Sequence, residues 1–256
     1  MAGAIINIFK IPELRTRVLF TLFVLVVYRI GAHVPIPGIN VTALTEYFNQ
    51  AGKSGMLDFF DLFAGGALKR FTVFALGIMP YISASIIMQL LNTVIPALEK
   101  LAKEGPEGQK KINLYTKYGT VVLCAIQALG LTFWMKSMTT ASKGSVVPAD
   151  SGIGFIITTV IAITTGTMVL MWLGDQITEK GIGNGISLLI FAGIVVRLPQ
   201  AFMESMRRIV SQSDPIIGVI LIGFFVMVVA ASILLTLGTR KIPVQYGKRI
   251  VGRRMV

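Results

Sequence analysis

Reactive side chains are scarce in this chain. Its 256 residues contain one cysteine, Cys124, and one histidine, His33. A lone cysteine forms no intramolecular disulfide and no cysteine metal cluster. A lone histidine leaves little room for a multi-histidine metal site or an imidazole–carboxylate triad. The inventory therefore argues against hydrolytic catalysis, and no cofactor is expected. Charge is scarce too. Only 14% of residues are charged, whereas 54% are hydrophobic and the mean hydropathy is +0.76. Soluble domains average about 25% charged residues. So few charges cannot cover a soluble surface of this apolarity, and the same composition excludes disorder. The class that remains is a polytopic, all-α membrane protein.

Spanning helices need about 20 mostly apolar residues. Four uncharged runs supply them: Phe71–Leu98, Tyr118–Met135, Ser151–Gly174 and Pro215–Thr239. Val18–Val34, which includes Arg29, and Gly181–Val196 make six expected spans. No aspartate or glutamate lies deep in any of them, which speaks against a proton or cation relay. The net charge is +12. With the N-terminus placed inside, 15 Lys and Arg fall in inside segments and 8 in outside ones. That bias predicts a cytoplasmic N-terminus. The first apolar run begins only at Val18, and no small-residue cleavage site follows, so the first span is read as a permanent helix. Arg29 within it either snorkels to the outer interface or makes a functional contact.

One segment does not fit a simple span. After the turn Pro35-Ile36-Pro37-Gly38 comes Leu57–Leu68, apolar at helical spacing but too short to cross. Asp58 and Asp61 favour a helix start, and Gly65-Gly66 would end it. This stretch is either re-entrant beside an outward-facing cavity or an amphipathic helix on the outer surface. Pro80 should kink the second span. Ile78 and Ile82, and likewise Ile186 and Ile190, share a helix face at i,i+4. They are either ordinary packing or the lining of a narrow apolar constriction. Ser83, Ser85, Gln89, Asn92 and Gln127 can hydrogen-bond between helices. Gly181, Gly183 and Gly185 suit a tight turn and close helix packing, not a phosphate loop. The stretch Arg240–Arg254 is strongly basic, with a partial alternation suggesting a hairpin. Its charge fits either anionic lipid or a polyanionic partner such as ribosomal RNA.

Several long strings together make the chain similar to a known family. They are Ile11-Pro12-Glu13-Leu14-Arg15, Pro35-Ile36-Pro37-Gly38, Phe74 to Ser85 (FALGIMPYISAS), Ile177 to Ser187 (ITEKGIGNGIS) and Arg240 to Arg254. In this order they resemble the SecY family, the channel-forming subunits of the bacterial Sec protein translocase. The resemblance implies a conduit for unfolded polypeptide and for release of signal sequences into the membrane, not an enzyme. It implies a plug including Leu57, Phe59, Phe60, Leu62, Phe63, Gly65 and Gly66. It places Ile78, Ile82, Ile186 and Ile190 in a pore ring. Ser85, Gln89, Asn92 and Gln127 fall on the second and third spans, one wall of a lateral gate. Arg240, Lys241, Lys248, Arg249, Arg253 and Arg254 fall in a loop that docks the ribosome or the SecA motor. Implied partners are SecE and SecG, SecA, the ribosome, signal-bearing polypeptides and membrane lipid. The implied location is the bacterial cytoplasmic (inner) membrane.

The family has ten spans in two inverted halves, so this chain is expected to be an N-terminal portion. Residues 1–200 would carry helices one to five with the plug, and 201–256 the sixth helix and the basic loop. A secondary transporter for a small solute is the alternative from another class, with Pro80 and the glycines marking a broken helix.

Overall fold

The computed structural model describes residues 11–51, 61–137, 139–140, 144–148, 151–211, 215–239, 250–251 and 254–255. It divides into two compact units, Met1–Pro199 and Gln200–Val256. In the first unit, helix α1 spans Pro12–Gly31 and starts with proline in its first turn, where the missing N–H is no loss. Helix α2 is Val41–Ala51. Helices α3 (Met79–Val94) and α4 (Pro96–Lys103) follow, then α5 (Pro106–Ser137), α6 (Ile153–Lys180) and α7 (Gly185–Val195). Helix α8, Leu198–Ser211, begins just before the boundary. The second unit contains α9, Pro215–Leu237. Strands among the described residues are limited to two two-residue antiparallel pairs: β1 (Thr139–Thr140) with β2 (Gly144–Ser145), and β3 (Ile250–Val251) with β4 (Arg254–Met255).

Three stretches among the described residues are long and apolar enough to cross a membrane: α5, α6 and Gly185–Glu204, which takes in α7 and half of α8. The bent pair α3–α4 makes a fourth. Helices α1 and α9 have 20 and 23 residues and stand at the first and sixth expected positions. The abundance of exposed Leu, Ile, Val and Phe on α1, α5, α6 and α9 suits a lipid surround.

The second expected span differs from its sequence reading. Phe71–Leu98 is not one kinked helix. The helix begins only at Met79, so Pro80 sits in its first turn and starts it instead of bending it. The break comes at Ile95, before Pro96, where the axis turns by 100° into α4. Proline disfavours the helical conformation at the residue before it, and Ile95 is extended (φ −96°, ψ 113°). With 16 residues, α3 is about 24 Å long, short of a ~30 Å hydrocarbon core. Irregular backbone from Phe71 to Ile78 precedes it. Phe71, Thr72, Phe74, Ala75 and Ile78 are all buried within the protein, the condition under which such backbone is tolerated at membrane depth.

The core seam runs between α5 and α6, with α3 against the other side of α5. The buried residues of α5 fall at four-residue steps: Gly108, Ile112, Thr116, Thr120, Cys124, Ala128 and Thr132. Mostly small side chains let the helices approach closely where no hydrophobic drive separates helix from lipid. The hydroxyls of Thr116, Thr120 and Thr132 donate to carbonyls four residues back at 2.7–2.9 Å, so they enter the seam already satisfied. On α6, Gly166 lies against the Val73 carbonyl, with no room for a Cβ between them. Gly166→Val should therefore unseat the 71–78 stretch and lower stability by about 1–3 kcal/mol. A thermal-unfolding midpoint equal to the parent's, measured on full-length protein in detergent, would contradict that seating.

Candidate functional site

The site is assembled on three scaffolds: the C-terminal end of α1, the N-terminal end of α3 and helix α7. The segment Asp61–Ile78 lies among them. Residues 61–63 are helical, and Gly65-Gly66 end that helix as expected from the sequence. The Gly66 N–H donates to the Asp61 carbonyl (3.0 Å) and the Gly65 N–H to the Leu62 carbonyl (3.2 Å). This is a Schellman cap, with Gly65 left-handed at φ 62°. The same pattern repeats six residues later. Thr72 donates to Ala67 and Phe71 to Leu68, both at 3.0 Å, with Phe71 in the left-handed position at φ 47°. Phe71 is fully buried. A non-glycine residue held there costs about 1–2 kcal/mol, which its burial offsets.

The chain is then stitched back to the end of α1. Ile36 N–H donates to the Phe71 carbonyl and Val73 N–H to the Val34 carbonyl, both at 3.1 Å. Pro35-Ile36-Pro37-Gly38 is thus a turn that supplies an edge for the returning strand-like segment, in a bridge between Pro35 and Thr72.

Side chains pin the same turn from two directions. The Arg29 guanidinium on α1 donates to the Gly65 carbonyl at 3.0 Å. Of the two readings of Arg29, the structure gives the contact, not the snorkelling cation. Asp61 is 0% exposed and forms an ion pair with Arg197, just beyond α7. Its other oxygen accepts the Lys69 backbone N–H at 3.0 Å. The Arg197 guanidinium also lies over Gly66. Backbone meets backbone where a Cβ on Gly65 would stand 3.1 Å from the Gly193 Cα, and the Tyr28 hydroxyl touches both glycines. None of Tyr28, Gly193 or Arg197 was singled out from the sequence. Asp61 was noted only as a helix-starting charge. The pairing of residues so distant in the chain carries no local signal.

Of the four isoleucines, Ile78 lies nearest this turn in the chain, whereas Ile186 packs against Gly174 of α6. Ala64 packs 3.6 Å from the Cβ position of Gly77, the residue before Ile78. Gly77 is left-handed (φ 56°), and its carbonyl accepts the Thr167 hydroxyl of α6 at 3.5 Å. Ile78 is 6% exposed; Ile82, Ile186 and Ile190 are half-buried and packed against the same core. Helix α7 is placed by its start. Asn184 accepts the Ser187 N–H at 3.2 Å as an N-cap, and the Gly185 N–H donates to Thr178 at 2.9 Å. Gly185 lies so close to the Gly174 carbonyl that no side chain would fit. The glycine run serves close packing, as read from the sequence.

Leu62, Phe63, Gly65 and Gly66 belong to the described turn, while Leu57, Phe59 and Phe60 lie outside the described residues. Gln89 bonds within its own helix to Ser85 at 3.4 Å, and the buried Asn92 amide oxygen has no hydrogen-bond partner among the described residues. Gln127 lines, with Ser83, Leu68, Met79 and Trp134, a groove of about 460 Å³ between α3 and α5. Among the described residues, the expected hydrogen bonds between helices are not seen for Ser85, Gln89 or Asn92. Arg240, Lys241, Lys248, Arg249 and Arg253 lie outside the described residues. Arg254 in β4 pairs through its backbone with Val251 in β3, while most of the stretch on which a hairpin was expected lies outside the described residues.

With this geometry in view, the chain was compared with known proteins. The SecY family profile matches residues 72–255. The protein translocase subunit SecY of Aquifex aeolicus is 45% identical over 250 residues, covering 97% of this chain and 58% of the relative. That of Pseudomonas aeruginosa is 47% identical over 247 residues, covering 96% and 54%. The chain thus spans a little over half the length of these relatives. Among solved structures, Sec61 in the canine ribosome–channel complex from the endoplasmic reticulum superposes with TM-score 0.58 at 23% identity, covering 94% of this chain and 55% of that one. A chain described as "The structure of a protein conducting channel" gives 0.56, also at 23% identity, over 88% and 51%. At that identity, the likeness speaks for the fold. None of these relatives is a small-solute transporter.

The turn's closeness to Gly193 leads to a test. Gly65→Val places a side chain against the Gly193 backbone and in a left-handed conformation costing about 1–2 kcal/mol. Hydrogen exchange of amides 65–72 should quicken roughly tenfold, while α5 amides keep their protection. Unchanged exchange at 65–72 would show that the turn does not need that contact.

Proposed function

This chain belongs to the SecY family, and from that membership we propose that it forms the N-terminal part of a protein-conducting channel that passes unfolded polypeptide and releases signal sequences into the membrane. The observation that carries the reading is the buried turn at Asp61–Phe71, seated between α1, α7 and the stretch that leads into α3. A short re-entrant element of this kind blocks a passage by filling it. The isoleucines close the waist by excluding water, and because they carry no charge they hold no passing segment by a fixed ion pair. In this reading Ile78, Ile82, Ile186 and Ile190 contribute to the pore ring. Leu57, Phe59, Phe60, Leu62, Phe63, Gly65 and Gly66 form the plug. Ser85, Gln89, Asn92 and Gln127 belong to one wall of the lateral gate, and the apolar groove beside Gln127 supports that assignment.

The work of moving a chain comes from outside, from the ribosome or the SecA motor docking on the basic residues Arg240, Lys241, Lys248, Arg249, Arg253 and Arg254. SecE and SecG complete the assembly, and lipid surrounds it. The Lys/Arg bias supports an N-terminus on the cytoplasmic side of the inner membrane. The role is that of a channel subunit, not an enzyme. The division into residues 1–200, with five helices and the plug, and 201–256, with the sixth helix and basic loop, follows the same reading.

Two outcomes are expected of the full-length protein. Replacing Ile78, Ile82, Ile186 and Ile190 together by Gly should raise resting ion conductance in planar bilayers; unchanged conductance would remove these residues from the ring. Charge-neutral substitution of the six basic docking residues should weaken ribosome binding and flatten its salt dependence, since each lost phosphate contact lowers the slope of log K against log salt by about 0.7–0.9. An unaltered slope would assign the basic loop to another task.

A further inference from the structure

We infer that Asp61 and Arg197 are a positioning pair, a charge catch that fixes the turn Asp61–Arg70 in its seat against α7. The inference rests on reading that turn as the end of the plug. Most of the contacts around it are apolar or backbone contacts of modest specificity. The ion pair is different. Asp61 is 0% exposed, whereas the Arg197 side chain keeps 26% of its surface. Arg29 is occupied with the Gly65 carbonyl. Arg70 and Arg197 are the cations that act on Arg29 electrostatically, so the seat is rich in positive charge around one buried carboxylate.

A buried ion pair adds little net stability over an apolar contact of the same size, because desolvation of both charges cancels most of the attraction. Its property is steepness. Small displacements leave a carboxylate both unpaired and dry, the costliest arrangement available. Full withdrawal into a wet vestibule rehydrates both groups. The pair therefore disfavours the half-seated turn more than the fully released one. That is the behaviour of a catch with two positions, not of a glue. Apolar packing alone, as between Ala64 and Gly77, would weaken gradually with distance instead.

The two partners are unequal, and the inequality supplies a signature. Removing the Arg197 charge strands a fully buried carboxylate. Removing the Asp61 charge leaves a cation that already reaches water. In full-length protein reconstituted in planar bilayers, Arg197→Gln should raise resting ion conductance roughly tenfold or more. Asp61→Asn should raise it less, and Arg197→Lys least of the three. The double variant Asp61→Asn with Arg197→Gln should be tighter than Arg197→Gln alone, because the stranded charge is gone. A double variant as leaky as Arg197→Gln or leakier, or Arg197→Gln at the parent's conductance, overturns the catch. If Arg197→Gln fails to accumulate in the membrane, recovery of its level by adding Asp61→Asn is the same signature, and no recovery overturns the catch equally. Translocation of a secretory precursor by the parent separates the two readings. A parent that translocates while the double variant gives no relief loses only the catch, whereas a parent that translocates nothing loses the channel.

Discussion

Lipid offers no partner to a peptide N–H or C=O, and that constraint organises the first unit. Helices satisfy it internally. The stretch from Asp61 to Ile78 does not stay helical, so its polar backbone has to be met by protein. The solution is two successive Schellman caps, a bridge to the end of α1, the Asp61 carboxylate accepting the Lys69 N–H within the stretch, and two side chains reaching in from elsewhere: Arg29 to the Gly65 carbonyl and Thr167 to the Gly77 carbonyl. Gly65, Gly66 and Gly77 are left-handed because each reverses the chain within this paired network. Phe71 takes the same conformation without being glycine, held by the bridge at Pro35 and Thr72 and by its own burial. An irregular segment paired in this way can sit at membrane depth.

The few charges are placed by the same constraint. Lys117 of α5 and Asp175 of α6 pair at 2.5 Å where both side chains are part-exposed, so little desolvation is needed. Asp61 and Arg197 pair in a far drier place. Between them, α5 turns Thr116, Thr120 and Thr132 toward the α6 seam with hydroxyls spent on their own helix.

Much of this was legible from residue types. Composition indicates the helical membrane class, Gly65-Gly66 the end of the short helix, and Gly181 and Gly185 the tight packing seen against Thr21 and Gly174. These are local rules, in which one residue's conformational freedom decides the outcome. Pro80 shows where a local rule is ambiguous. Proline either bends a helix or begins one, and hydropathy across Phe71–Leu98 favours bending. The structure begins α3 at Met79 because Phe71–Ile78 is taken up by the bridge to α1, a tertiary demand with no periodicity of its own. The Asp61–Arg197 pair and the Tyr28–Gly193 contact were hidden for the same reason: they exist only once α7 is folded beside α1.

Arg29 ties these threads together. A cation near the end of an apolar helix has a cheap resting place in the headgroups, and on sequence grounds that is the simpler fate. Here the Gly65 carbonyl competes for it and prevails, because the cap that turns the chain leaves that carbonyl facing α1 with no partner of its own in the turn. The guanidinium fork is suited to the task. It stays charged in any plausible environment and reaches a carbonyl without needing a counter-ion at the same point. A lysine would bring a more strongly hydrated point charge into the same dry seat. The identity of residue 29 is therefore set by the geometry of residues 61–66, on a different element of the fold, and the short turn and the first helix have to be understood as one structural unit.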